Sequence, residues 1–158
     1  MHIPSLLGAA ALTATLAGSA LAADFKAGNL VIHDPWTRAT PRGAPVAGGY
    51  AVIENTGDQP DSLTGGSFSA SSGFSIHQMT MKDGVMSMGP VEGGLEIPAH
   101  GSVKLDPSGF HLMFTGLTRQ LKRHETVGGT LVFKNAGTVS VDYAVGSIGA
   151  RGPEHSGH

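Results

Sequence analysis

Apolar positions along this chain recur with a period of two, in short runs rich in Val, Ile and Phe bounded by Gly, Pro, Asn and Asp. That pattern predicts strands with one face buried and the other wet. In "NLVIHDPWTRATPRGAPVAGGYAVIENTG" a short strand is read as ending at His33. A Pro/Gly-rich connection follows, then a strand from about Gly49 to Glu54 closed by Asn55-Thr56-Gly57. Further strands are predicted over 62–68, 73–81, 85–91, 101–106, 110–116, 126–134 and 138–148, separated by "KDG", "EGG", "DPSG", "TRQLKRHE" and "NAG". Nine short strands, without helical periodicity or internal repeat, point to an all-β Greek-key barrel or sandwich.

The alternation sorts side chains in two segments. In "SIHQMTMKDGVMSMG", residues 75–89, His77, Met79 and Met81 share one parity, while Ile76, Gln78 and Thr80 take the other, with Phe74 on the run-in. Asp83-Gly84 is a two-residue type I′ turn signal, which pairs Lys82 with Val85, Met81 with Met86 and Met79 with Met88, leaving His77 diagonal to Met88. In "GFHLMF", residues 109–114, Phe110, Leu112 and Phe114 claim the core and turn His111 and Met113 outward as a clamp of one imidazole and one thioether.

Composition narrows what such a clamp can do. The chain has 158 residues, enough for one domain with a sizeable core, and no cysteine. Thiol catalysis, CxxC redox chemistry, thiolate zinc sites and blue-copper centres are thereby excluded, so any metal is held by His, Met or carboxylate. Thioether is a soft, neutral ligand suited to Cu(I), and imidazole serves copper and zinc alike; the mixed set favours Cu(I) over Zn(II). Two other readings of the methionines stand beside this one: flexible filling of a core, and a Met-rich face for a protein partner. Ten Lys+Arg against twelve Asp+Glu, with no basic run, argue against nucleic acid. No hydrolase, metalloprotease or phosphate-loop motif is present, and no enzyme activity is expected.

Residues 1–22 read as a signal peptide: an apolar stretch from Leu6 to about Ala17, then Ala20-Leu21-Ala22 as a cleavage site, behind an n-region without Lys or Arg. The stretch is shorter than the roughly 20 residues a membrane span needs. The expectation is a periplasmic, monomeric domain over 23–150, without stable membrane insertion after cleavage. Residues 151–158, "RGPEHSGH", are expected to form a flexible tail in which His155 and His158 offer a weak Cu(II) site.

His77, ten residues, Met88, twenty-two residues, then His111-x-Met113 closely resembles the signature of the PCu(A)C family of periplasmic copper chaperones: a His, ten residues, a Met, about twenty-one residues, then His-x-Met. "DPWTRAT", "AGGYAVIENTG", "DSLTG", "DGVMSMGPVEGGLEIPAHGSVKLDPSGFHLMFTGL" and "GTLVFKNAG" resemble that family's blocks in their usual order, over residues 28 to 148. The resemblance implies a cupredoxin-like barrel and Cu(I) held by His77, Met88, His111 and Met113. It also implies delivery of copper to an accepting protein of the cytochrome c oxidase assembly pathway. Periplasmic copper storage or detoxification, and a β-sandwich interaction module without metal, are the alternatives. The second gap is one residue longer than the family's, through Gly93-Gly94. His100 and His124 stand where glycine is expected, which predicts altered backbone in those turns. Met79, Met81 and Met86 are left as shield, spare ligands or docking surface, Met79 foremost. His33 is read as a loop or packing residue, and Trp36 and Arg38 as structural.

Overall fold

The structure is a computed structural model that describes residues 23–154; the leader read over 1–22 and the tail histidines His155 and His158 lie outside the described residues. Eleven strands form and, among the described residues, no helix: β1 (Asp24–Ala27), β2 (Leu30–Arg38), β3 (Val46–Asn55), β4 (Asp61–Phe68), β5 (Ser71–Lys82), β6 (Val85–Pro90), β7 (Leu95–Ile97), β8 (Ser102–Leu105), β9 (Phe110–Leu117), β10 (Thr126–Phe133) and β11 (Gly137–Gly146). All nine predicted strands are present, and all but β2 end within a few residues of their expected ends. The two extra strands, β1 and β7, have four and three residues, too few for a period to register.

Hydrogen bonding links the strands in the order β6-β5-β9-β8-β3-β2-β11-β10-β4-β7, with β1 on β2 and β9 also paired with β3. Pairings are antiparallel except β11 with β2 and β8 with β9. Two expectations are corrected here. β2 does not end at His33: Asp34 takes a positive φ of 47° before Pro35, the register shifts, and pairing with β3 resumes at Trp36. A bulge absorbs the proline that the sequence reads as a stop. The turns at His100 and His124 keep the left-handed backbone of glycine, with φ of 55° and 75°.

Leu112 and Phe114 of β9 are fully buried. Phe114 stacks on Phe68 at 3.9 Å between centroids, and Tyr143 stands edge-on to both rings, 5.5 and 5.3 Å away. A Cβ on Gly49, which pairs with Leu112, would collide with the Phe114 ring. That glycine lets β3 and β9 close on the aromatic stack, which locks the parity of every β9 side chain. A smaller cluster of Trp36, Tyr50 and Ala150 lies apart from this core. The described start of the 151–158 segment is tied down: Ser147 N and Oγ donate to the Glu154 carboxylate at 3.0 and 2.7 Å, and Arg123 Nε donates at 3.1 Å.

The Tyr143 hydroxyl is buried without a hydrogen-bond partner among the described residues, and burial pushes its pKa far up, so it stays neutral. Stranding such a group costs about 1–3 kcal/mol. Tyr143→Phe keeps the ring contacts and removes the stranded oxygen, so chemical denaturation should show a gain of roughly 1 kcal/mol; a loss would mean that the hydroxyl is satisfied in solution.

His33, read from sequence as a loop or packing residue, lies within β2 and bridges two carboxylates, Nε2 to Glu54 and Nδ1 to Asp24, each at 2.9 Å. The Glu54 hydrogen bond holds its pKa above the ordinary 6.5, Asp24 adds to the rise, and burial opposes it. The folded state thus favours protonated His33. Its stabilisation is complete below pH 6.5 and fades as pH rises through the higher folded value. The difference in thermal midpoint between wild type and His33→Gln should be larger at about pH 5.5 than at about pH 8.5; equal differences would refute the ion pairing.

Candidate metal centre

Three strands build the site: β5 and β6 as a hairpin, and β9 alongside β5. Asp83 and Gly84 both take positive φ, 53° and 78°, as a type I′ turn requires. The resulting register pairs Lys82 with Val85, Met81 with Met86 and Met79 with Met88, as the sequence predicts. On the other side of β5, His77 pairs with His111, Ser75 with Met113 and Ile76 with Leu112. Chain segments some thirty residues apart thus set two imidazoles directly opposite one another, with ring centroids 5.9 Å apart.

His111 is held at both ring nitrogens. Nδ1 lies 3.1 Å from Gly109 O, and Nε2 lies 3.1 Å from Met88 Sδ. A carbonyl oxygen only accepts, so Nδ1 carries the proton and donates. In the neutral ring Nε2 is then a bare lone pair facing the lone pairs of a thioether. Two electron-pair donors brought nose to nose without a proton between them are what a soft cation joins. A histidine whose other nitrogen donates to a backbone carbonyl is also the usual state of a metal-ligating imidazole.

His111 corrects an expectation. It faces away from the aromatic core, as parity requires, but it is 5% exposed rather than open, with Met88 against it. Met88 itself is 49% exposed and Met113 is half-buried. The donors therefore form a stepped arrangement in which an exposed sulfur covers a buried nitrogen.

His77 Nε2 shares a 2.9 Å hydrogen bond with Ser75 Oγ, while Nδ1 is buried without a partner among the described residues. Burial lowers its pKa, and neighbouring His111 lowers it further, so the ring is neutral and ligand-competent at neutral pH. Among the described residues no three His, Asp or Glu side chains converge as a hard-ligand site. The donors that do converge are imidazole and thioether.

A cavity of about 350 Å³ opens beside this cluster, and its lining includes Met79, Met88, His111 and Met113 together with Arg38 and Tyr50. His77 is not among its lining residues. Arg38, read from sequence as structural, donates from Nε to Ala150 O at 2.7 Å and lies 5.9 Å from the centre of the Tyr50 ring. Its place beside the sulfur donors depends on distant segments meeting, since β2 pairs with β3, and β3 pairs Gly48 with Met113 of β9. The one pointer in the sequence is the "DPWTRAT" block.

The LpqE-like family model matches residues 30–145 of this chain. "Putative lipoprotein Lxx21020" of Leifsonia xyli subsp. xyli is 27% identical over 152 residues, covering 96% of this chain and 90% of its own. Among solved structures, the copper-bound PCuAC domain from PmoF2 superposes with a TM-score of 0.68 at 26% identity, covering 79% of this chain and 98% of that domain. The apo PCuAC domain from PmoF1 gives 0.68 at 26% identity, covering 79% and 99%. The solution structure of CuI-DR1885 from Deinococcus radiodurans gives 0.55 at 31% identity, covering 72% and 75%. By sequence and by fold the chain belongs to the LpqE-like family, and its barrel is a PCuAC domain of cupredoxin-like architecture.

Proposed function

We propose that this domain binds one Cu(I) through His77, Met88, His111 and Met113 and hands it to another protein. The observation that carries the reading is the 3.1 Å approach of His111 Nε2 to Met88 Sδ, with Nδ1 held by Gly109 O. Neutral imidazoles and thioethers bring no negative charge, so they favour a monovalent soft ion over a divalent one. His77 offers its unpartnered buried nitrogen as a further ligand. The copper-bound and Cu(I)-bound relatives support the same cargo.

Transfer proceeds by ligand exchange. Met88 is half exposed and has a flexible side chain, so an incoming ligand replaces it while buried His111 keeps hold of the ion. Four protein ligands leave no open coordination position, which favours carriage over catalysis. The physiological route we infer is export by the 1–22 leader, work in the periplasm, and delivery toward cytochrome c oxidase assembly. The relative named as a lipoprotein supports export.

A Cu(I) competition titration against a chromophoric chelator tests the ligand set. Losing an outer-shell partner alone costs about 10–100-fold in metal affinity, so a Met88→Ala/Met113→Ala variant should bind at least roughly 100-fold more weakly than wild type. Equal competition by the two proteins would rule the assignment out.

A further inference from the structure

Three hairpin methionines are still without a role, and the structure separates them. Met81 and Met86 face each other at the tip, 69% and 49% exposed, where β6 is the edge of the sheet. Met79 is different. It is half-buried, pairs directly with Met88, and lines the same cavity as Met88, His111 and Met113. His77, for its part, shares its Nε2 with Ser75 Oγ in a hydrogen bond. The cavity is therefore lined by three methionines and one of the two histidines, and His77 is not among its lining residues.

We propose that Met79 is a fifth donor of this centre. Copper on the cavity side is held by Met79, Met88, Met113 and His111; on the Ser75 side His77 takes the place of Met79. His111, Met88 and Met113, common to both sets, act as the pivot on which the ion moves between them. A thioether suits the cavity side chemically, because it is a soft neutral donor on a flexible side chain. No bond to copper need be broken before its replacement is in reach, since directly paired strand residues lie about 5 Å apart at Cβ. This inference rests on the copper-carrier reading and assigns one further ligand to it.

The full chain, labelled with 13C at the methionine methyls and titrated anaerobically with Cu(I), reads each sulfur separately. Single Met→Leu variants assign the signals while keeping the apolar bulk. Met79, Met88 and Met113 should shift together up to one equivalent, with Met81 and Met86 unmoved. Movement of Met88 and Met113 without Met79 would overturn the fifth donor and leave the carrier reading standing; silence of all three would overturn both. As a check against mere proximity, Met79→Leu should compete less well for Cu(I) than wild type and Met81→Leu equally well. Undiminished competition by Met79→Leu would also overturn the proposal.

Discussion

Gly109 O accepts a hydrogen bond from His111 Nδ1, and the opposite ring nitrogen lies 3.1 Å from Met88 Sδ. Every other feature of the centre is arranged around that contact. The carbonyl sets the tautomer, the tautomer sets which atom is free to donate, and the hairpin sets which sulfur meets it. In water two such lone-pair donors would each find a hydrogen bond. Here the imidazole is buried against the sulfur, and a soft cation is what joins a neutral ring nitrogen to a thioether.

The barrel makes this affordable by anchoring the strand from its other face. Leu112 and Phe114 lie in the core, Phe114 between Phe68, Phe74 and Tyr143. Because strand side chains alternate, fixing that pair fixes His111 and Met113 on the opposite face. The softness of the site lies in its cover instead: Met81, Met86 and Met88 are about half exposed or more. A rigid buried imidazole beneath mobile exposed thioethers suits an ion that must be retained and also released.

Much of this was legible in the sequence, and for local reasons. Asp83-Gly84 admits one favoured hairpin turn, so the pairing of Met79 with Met88 followed from two residues. Core parity in "GFHLMF" followed from three large apolar side chains. What escaped depends on contacts between distant segments. The burial of His111 requires knowing that β5 and β9 are neighbours, and Arg38 lines the cavity because β2 and β9 both pair with β3. The bulge at Asp34 was read as a strand end, since Pro35 argues locally against continued pairing. His100 and His124 were expected to alter their turns, yet both hold the glycine conformation, as imidazole is among the side chains that tolerate it.

The chemistry reduces to one claim: a single ion is shared by imidazole nitrogen and thioether sulfur, drawn from strands that the barrel brings side by side. Copper K-edge X-ray absorption of the Cu(I)-loaded protein tests it most directly. A first shell containing both nitrogen and sulfur scatterers is expected, with the sulfur contribution lost in a Met88→Ala/Met113→Ala/Met79→Leu variant. A wild-type shell of nitrogen and oxygen alone would contradict it.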